Sequence, residues 1–307
     1  MLYLTLRFLK RRIWKPIWKL LTYPLRVKKK INFYKTNYEI LKSLVDIRTL
    51  RPATGKLRES QLENLNFTKE IINELYEVGI TPFMCAGTLL GAERHKGFIP
   101  WDDDVDFWVM REDYDKIIQY ARSKYKVFYQ NINKYRGEKT SIDSMNKYLK
   151  ENPNDVIVLL FPFIKFIKGT SLSNCVQFDI FPLDYYSDNY KYSDHINYSQ
   201  KIFNKLGDIN NIRKEIEYIK SEIKNNSNIV EKSNTISYGL DNPGSYIPSQ
   251  RTGWWTHDDF FPLKKMQFEN TEFFAPNNHI KILDYWCKNW REFPNDLTPP
   301  HQAERSQ

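Results

Sequence analysis

Four carboxylates lie within five residues of this 307-residue chain: Asp102, Asp103, Asp104 and Asp106. Charges this close repel each other and raise the pKa of at least one carboxyl, unless a cation neutralises them. Carboxylate oxygens are hard ligands that suit Mg²⁺ or Mn²⁺. The alternation over residues 104–110 predicts a strand, on which Asp104 and Asp106 share a face with their Cα atoms ~6.5–7 Å apart. The segment therefore predicts a divalent-metal site, and a solvated, inert acidic turn is the alternative.

A further acid, Asp179, lies inside an apolar segment that predicts a strand over residues 175–181. Phe178 and Ile180 would point to the opposite face of that strand. Because a buried, unpaired carboxylate is costly, the metal site is its expected partner. Asp179 is thus predicted as a third ligand or as the base that accepts a proton from an attacking hydroxyl. Asp184 is expected to cap a helix.

Gly87 and Thr88 open a predicted helix over residues 88–95. Free N–H groups at a helix N-terminus bind anions, and a glycine lets a phosphate approach closely. Thr88 would cap the helix or touch the phosphate. Arg94 and Lys96 follow about two helical turns later and could neutralise phosphate charge. An ordinary strand–turn–helix joint with a solvated basic end is the alternative.

Strands and helices mix irregularly along the chain, which predicts an α+β or mixed α/β fold with a mixed sheet flanked by helices. The predicted helices are 62–78, 111–121 and 280–290, the predicted strands are 82–86 and 156–167, and a hairpin is predicted at 268–274. The catalytic domain is placed at 57–300. Within it, the polar residues 190–245 are expected to form a helical surface insertion. Residues 31–56 would be a connector and 301–307 a tail.

Residues 1–30 hold ten basic and no acidic residues, which leaves 36 basic and 37 acidic residues for the remainder. This balance predicts a basic arm on a near-neutral body, and such a body is a poor candidate for binding nucleic acid. Apolar residues of the arm fall on one helical stripe, which Pro16 should kink. The stripe consists of Leu2, Leu6, Leu9, Ile13, Ile17 and Leu20. We expect the arm to bind an anionic membrane surface.

Two further classes are excluded by composition. The three cysteines, Cys85, Cys175 and Cys287, are too far apart in sequence to indicate a disulfide framework or a zinc site. No run of ~18 apolar residues occurs, so no transmembrane helix is expected.

Four segments together resemble the LicD family, which includes fukutin and the fukutin-related protein. The segments are Gly87-Thr-Leu-Leu-Gly-Ala, Arg94-His-Lys-Gly-Phe-Ile-Pro-Trp-Asp-Asp-Asp-Val-Asp106, Phe178-Asp-Ile-Phe-Pro-Leu-Asp184, and a block from Trp255 through Asp259-Phe-Phe-Pro-Leu-Lys-Lys to Phe273-Phe-Ala-Pro276. The resemblance covers about residues 62–300.

The resemblance implies a nucleotidyltransferase-like fold that moves a phosphorylated group from a CDP-linked donor to a hydroxyl of a cell-surface glycan such as lipopolysaccharide, teichoic acid or capsule. The group is typically phosphocholine in bacterial members and ribitol phosphate in the fukutin branch. The family's paired acids map onto Asp104 and Asp106, and its third carboxylate maps onto Asp179. The chain shows no Golgi anchor and no cysteine-rich insertion, so it resembles the bacterial branch. The expected place of work is the cytoplasmic face of the cell membrane, where a lipid-linked glycan is the acceptor.

The mechanism expected from the residues agrees. A metal held by Asp104, Asp106 and Asp179 binds the diphosphate of CDP-choline, a hydroxyl attacks the distal phosphorus, and CMP leaves. Arg94 would stabilise the charge on the phosphoryl oxygens, with Asp103 among the catalytic carboxylates.

Aromatic faces bind quaternary ammonium groups, which makes choline the favoured head group. The rings expected to form such a cage are Trp101, Trp254, Trp255, Tyr185 and Tyr186, of which Trp101 and Trp255 are predicted to contact substrate. Three alternatives stay open: transfer of ribitol or glycerol phosphate, a metal-dependent glycosyltransferase that uses the D-x-D pair, and a non-catalytic membrane-docking protein.

Overall fold

The computed structural model describes residues 15–129, 139–209, 211–242, 253–287 and 289–294. The chain divides into two compact units, Met1–Thr49 and Leu50–Gln307. The first contains helix α1 (Lys15–Leu44) and a short 3₁₀ turn at Ile47–Thr49. No helix in the described ranges is both long enough and apolar enough to cross a membrane.

Helix α1 crosses the boundary at residue 30 that we expected between the arm and the connector. Pro16 is the second residue of α1, where a missing N–H costs no helical hydrogen bond, and Pro24 lies inside the helix. Residues 1–14, which carry most of the predicted apolar stripe, and the tail at 301–307 are outside the described residues.

The second unit contains the predicted mixture of helices and strands. Its helices are α2 (Gly55–Glu77), α3 (Ala86–His95), α4 (Arg111–Lys124), α5 (Lys139–Glu151), α6 (Tyr192–Gly207), α7 (Ile212–Asn225), α8 (His257–Phe260) and α9 (His279–Trp286). Its strands are β1 (Phe83–Met84), β2 (Asp106–Met110), β3 (Lys126–Phe128), β4 (Val156–Leu159), β5 (Ile164–Ser171), β6 (Asn174–Tyr186), β7 (Ile229–Val230), β8 (Thr235–Tyr238), β9 (Trp255–Thr256), β10 (Lys264–Phe268) and β11 (Thr271–Ala275).

The strands of the described residues form one sheet in the order β10-β11-β1-β2-β6-β5-β4-β3. Strand β8 pairs with the second half of β6, and β7 and β9 extend this side branch. The pairs β1–β11, β2–β6 and β3–β4 are parallel, and the others are antiparallel. The predicted mixed sheet flanked by helices is therefore confirmed.

Strands β2, β6 and β5 are neighbours, and their register determines which side chains share a face. One face carries Phe107, Phe178 and Phe166, which are at most 1% exposed. The ring of Phe67 on α2 packs edge-on against Phe178, with the ring centroids 5.8 Å apart. Because side chains alternate along a strand, the residues directly before or after each of these three in sequence point to the other face of the sheet.

Two predicted elements differ from the structure. The segment expected as one strand over residues 156–167 is two strands, β4 and β5, with Pro162 between them. The region 190–245 is only partly a surface insertion, because β8 adds to the main sheet and Ile236 in it is 0% exposed. Its helices α6 and α7 contribute a second apolar cluster of Phe161, Ile202, Leu206, Ile219 and Leu240.

Candidate active site

Two buried amide side chains on α2 hold the acidic segment in place. The amide of Gln61 donates to the Asp102 carbonyl at 2.7 Å, and the amide of Asn64 donates to the Asp103 carbonyl at 2.9 Å. The Asn64 side-chain oxygen accepts from the backbone N–H of Gln177 in β6 at 2.7 Å. Asn64 therefore links the acidic loop to the strand that carries Asp179. Neither amide was predicted as a site residue, although both lie in the apolar face of α2 at helical spacing.

Asp102 shapes the turn that precedes β2. Its Oδ1 accepts the backbone N–H of Asp103 at 3.0 Å and that of Asp104 at 3.4 Å. The strand consequently begins at Asp106, and Asp104 lies before it instead of within it as predicted. A Cβ on Gly87 would lie 2.8 Å from Asp102 Oδ2, which explains the glycine by a close approach of the side chain.

Thr88 positions Asp106. The backbone N–H of Asp106 donates to the Thr88 hydroxyl at 2.8 Å, and its carbonyl accepts from the Cys85 N–H at 3.1 Å. Thr88 is 2% exposed, so it orients the strand start and is not placed to meet a phosphate. The residue before Gly87, Ala86, has a φ of +43° at the first position of α3.

Three charged residues form a row across three neighbouring strands. Asp106 on β2 is the register partner of Asp179 on β6, and Asp179 is the register partner of Lys165 on β5. The Lys165 ammonium lies 2.8 Å from Asp179 Oδ1 and 2.9 Å from its Oδ2. The structure thus brings the two predicted acids together and adds a cation that the sequence analysis did not assign. The available signal was a lysine between two apolar residues, Ile164 and Phe166, in a predicted strand.

The row and its neighbours concentrate negative charge. Burial is the main cause that raises the pKa of Asp106 well above its usual range, followed by the charges of Asp104, Asp179 and Asp102. Lys165 offsets part of this rise. A group of carboxylates that repel each other in a partly buried position is the donor chemistry that a hard divalent cation matches. The predicted ligands Asp104, Asp106 and Asp179 therefore fit such an ion by charge and by atom type.

The described side chains are not arranged as a complete set of metal ligands. In the part of the chain that the structure describes, no three His, Cys, Asp or Glu side chains converge to hold a metal ion. Both oxygens of Asp179 are bound to Lys165. Asp103, predicted among the catalytic acids, is 3% exposed and lies in the anchored part of the loop.

Arg94 and Lys96 are placed differently from the prediction. They lie at the C-terminal end of α3, roughly 12 Å along the helix from the Thr88 turn that touches Asp106. Arg94 is 7% exposed and donates to the Trp290 carbonyl at 2.9 Å, and burial lowers its pKa. This corrects the expectation that Arg94 meets a phosphate, because its guanidinium is held in the interior. Lys96 is exposed and caps α3 with a φ of +55°.

The Lys96-Gly-Phe turn has a structural partner that explains its place in the long motif. Glu269 accepts the N–H of Phe98 at 3.1 Å and binds both terminal nitrogens of Arg58, at 2.8 and 2.6 Å. A Cβ on Gly97 would clash with the Glu269 side chain, so a larger residue here would displace Glu269 from Arg58 and from the Phe98 N–H.

The expected aromatic cage is not formed. Trp255 is 2% exposed and packs on Trp108, whereas Trp101 stacks on Phe293 and lies 6.0 Å from the Arg94 guanidinium. Trp254 lies in a separate cluster against Tyr186. Tyr186 is seven residues beyond Asp179 on β6, roughly 23 Å along an extended strand. Trp254 and Tyr186 therefore lie together but far along β6 from Asp179, and Trp255 belongs to the core.

Asp184 is part of a buried ion network and does not cap a helix as expected. It lies inside β6 at 0% exposure and binds Arg111 Nε and Nη2 at 2.7 and 2.9 Å. Asp241 binds the same guanidinium at 2.6 Å. Burial would lower the pKa of Arg111, but the two carboxylates raise it well above its usual range. The network fixes the start of α4 to the end of β6.

The match to a known protein family covers the part of the chain that contains this site. Residues 79–209 match the family described as "LicD/FKTN/FKRP, nucleotidyltransferase domain". The chain is 35% identical over 97 residues to the "Lipopolysaccharide cholinephosphotransferase LicD" of Haemophilus influenzae, which is 31% of this chain and 33% of that protein. It is also 41% identical over 58 residues to an uncharacterized protein of Rickettsia typhi, 18% of this chain and 19% of that one.

The matched region includes α3, the acidic loop, β2, β5 and β6, and therefore all three charged residues of the row. The alignment spans about a third of the length of the Haemophilus protein. Residues 79–209 therefore match the nucleotidyltransferase domain of the LicD family, as expected from the sequence motifs.

Proposed function

We propose that the chain transfers a phosphorylated group from a CDP-linked donor to a hydroxyl of a cell-surface glycan, with Mg²⁺ or Mn²⁺ as cofactor. The observation that supports this proposal is the row of Asp106 and Asp179, with Asp104 beside it, inside the family-matched segment. Asp104, Asp106 and Asp179 would hold the divalent cation. Bound there, the cation would neutralise the carboxylates and the diphosphate of the CDP-linked donor.

The protein's own part in this reaction is mainly positioning. Gln61 and Asn64 fix the acidic loop, and Thr88 fixes Asp106, so the carboxylates are preorganised before any ligand binds. The glycan oxygen forms a bond to the distal phosphorus, the bond from that phosphorus to the CMP oxygen breaks, and the hydroxyl proton passes to a carboxylate of the cluster.

Phosphocholine is the group that we propose is transferred. The support is the likeness to the Haemophilus protein, whose name specifies a cholinephosphotransferase that acts on lipopolysaccharide. The predicted aromatic cage gives no support, because Trp255 is buried in the core and Trp254 packs with Tyr186, roughly 23 Å along β6 from Asp179. Ribitol phosphate and glycerol phosphate are the alternatives by the same mechanism.

The test is release of CMP by the full chain with Mg²⁺, a glycan acceptor, and CDP-choline, CDP-ribitol or CDP-glycerol. We expect turnover with CDP-choline that excess EDTA abolishes, and a loss of at least ~100-fold in Asp104→Asn and Asp106→Asn. Asp143→Asn, on the exposed face of α5, is the matched control and should keep full activity. Full activity in EDTA or in Asp106→Asn would refute the mechanism. Release of a nucleoside diphosphate from a nucleotide sugar would indicate a glycosyltransferase instead.

We also propose that α1 places the enzyme at the cytoplasmic face of an anionic membrane. The helix has eight basic residues and one acidic residue. Of the 13 exposed large apolar side chains that the structure describes, eight are in α1. They are Tyr23, Leu25, Ile31, Phe33, Tyr34, Ile40, Leu41 and Leu44. At 100° per residue, those from 31 to 44 fall within about half of the helix circumference, with Lys28, Lys35 and Lys42 along its border.

Sedimentation of the full chain with vesicles that contain phosphatidylserine tests this placement. We expect pelleting at low salt and release at high salt, because screening weakens the attraction. Lys28→Gln, Lys29→Gln and Lys30→Gln together should reduce the vesicle partition coefficient by on the order of 100-fold, at about 1 kcal/mol per basic residue near the surface. Three lysines of α6 and α7 changed to Gln, namely Lys201, Lys205 and Lys214, are the control. Equal losses in both triple variants would contradict the role of α1.

A further inference from the structure

Lys165 lies between two fully buried residues of β5 and points to the opposite face of the sheet, beside Asp179. Its neighbours Ile164 and Phe166 are 0% exposed, and its own side chain is 18% exposed. Both oxygens of Asp179 lie within 2.9 Å of its ammonium, and the Phe163 ring lies 5.6 Å away. A charge with this little access to water is stable only where a partner offsets the free-energy cost of its desolvation. Lys165 is therefore built into the carboxylate site and is not a surface lysine.

The row gives Asp179 two neighbours of opposite charge. Asp179 is on β6, between Lys165 on β5 and Asp106 on β2. The ammonium donates a hydrogen bond to Asp179 Oδ2 and lies 2.8 Å from Oδ1, so the negative charge that would attract a cation shared with Asp106 is already offset by Lys165. In the present arrangement Lys165 supplies the positive charge that a divalent ion would otherwise supply on one side of the row.

We propose that Lys165 is an internal counter-ion that competes with the divalent cation for Asp179. Binding of the cation to Asp104, Asp106 and Asp179 then requires the ammonium to leave Asp179. The released ammonium stays on the same face of the sheet, where it can bind the diphosphate of the CDP-linked donor. This inference rests on the proposed function, because it assumes that the carboxylates bind a divalent cation.

A purely structural ion pair makes the opposite prediction for metal binding. If Lys165 only supports the fold, its removal would disturb Asp179 and weaken or leave unchanged the affinity for a cation. If it competes, its removal strengthens that affinity. The sign of the change therefore separates the two roles without any measurement of turnover.

The experiment is a titration of the chelator-stripped full chain with Mn²⁺, followed by the electron paramagnetic resonance signal of free Mn²⁺. We expect Lys165→Met to bind Mn²⁺ about tenfold more tightly than the wild type, equivalent to ~1.4 kcal/mol. Lys165→Arg, which keeps the charge, should change the affinity by less than about threefold. Lys168→Met on the same strand is the matched control, with no change expected.

A double-mutant cycle adds a second criterion. In the Asp179→Asn background, Lys165→Met should change Mn²⁺ affinity by less than about threefold, because the shared carboxylate is gone. Far-UV circular dichroism checks that each variant is folded, and Lys165→Gln replaces Lys165→Met if the latter does not fold.

Equal or weaker Mn²⁺ binding in folded Lys165→Met would overturn the inference while leaving the proposed metal site intact. The same gain in both backgrounds would also overturn it, since competition for Asp179 could not then be the cause. If neither the wild type nor any variant binds Mn²⁺, the proposed metal requirement itself fails along with the inference.

Discussion

Replacement of Asp106 by Asn should stabilise the metal-free protein while it abolishes transfer. Asp106 is partly buried next to three other acids, and burial followed by their charges raises its pKa well above the usual range. The ionised carboxylate therefore opposes folding at neutral pH. Asn has nearly the same shape and no charge, so it removes this cost.

The size of the effect follows from the register. Asp106 and Asp179 are partners on adjacent strands, which are about 4.8 Å apart, so their carboxylates are roughly 6 Å from each other. Two like charges at this distance repel by about 3 kcal/mol at an effective dielectric constant of ~20. The ammonium of Lys165 at 2.8 Å from Asp179 offsets a part of this. A net gain of about 1–2 kcal/mol remains, or ~2–8 °C in Tm.

The pH dependence has a defined sign. The folded-state pKa of Asp106 is raised above the unfolded value of about 3.9, so the wild type is most stable where Asp106 is protonated and loses stability as the pH rises through the folded pKa. Asp106→Asn lacks this loss. The difference in Tm should consequently be smaller near pH 5 than at pH 8.

Differential scanning fluorimetry in excess EDTA from pH 5 to pH 8 measures the effect. The control Asp143→Asn is expected to change the free energy of unfolding by no more than ~0.5 kcal/mol. Addition of Mg²⁺ should raise the Tm of the wild type more than that of the variant, because binding to the folded state alone stabilises it. A lower or unchanged Tm for Asp106→Asn in EDTA at pH 8 would refute the electrostatic reasoning.

Three further substitutions test the packing around the site. Thr88→Val should lower the free energy of unfolding by about 1–3 kcal/mol and reduce CMP release at least tenfold, because the Asp106 N–H loses its acceptor, whereas Thr88→Ser should retain most activity. Arg111→Met should cost about 3–5 kcal/mol in urea unfolding, because it leaves two buried carboxylates unpaired, and a loss below ~1 kcal/mol would contradict that network. Gly91→Ala should lower Tm, because its Cβ would lie 2.4 Å from a backbone carbonyl, while Gly207→Ala, with no atom within 4 Å, should not.

Local patterns predicted most of the elements correctly. The predicted helices 62–78, 88–95 and 111–121 correspond to α2, α3 and α4 to within three residues at each end, except that α2 begins at Gly55, seven residues before the predicted start. The hairpin predicted at 268–274 is the β10–β11 pair. Errors arose where one local pattern is compatible with two arrangements of strands. The apolar run at 156–167, for example, fits one long strand or two short ones.

The assignment of side-chain roles was less successful for the motif residues near the acids. Arg94 is close to Asp104 in sequence, but α3 carries it to the opposite end of the helix, where it is buried against Trp101. Trp255 was expected at the substrate and packs in the core against Trp108. Sequence distance does not report which end of an element faces the site, so these roles required the packing.

By itself, the sequence determined which residues could do chemistry and the family that their motifs resemble, because carboxylates crowded into one loop and an acid inside an apolar strand are local features. Only the tertiary structure decided that Asp106, Asp179 and Lys165 form one row. That row depends on the pairing of β2, β6 and β5, whose register is set by contacts between residues up to 73 positions apart. Hydrogen bonds from Gln61, Asn64 and Thr88 to the acidic loop are non-local for the same reason, since backbone groups pair wherever the packed elements bring them together.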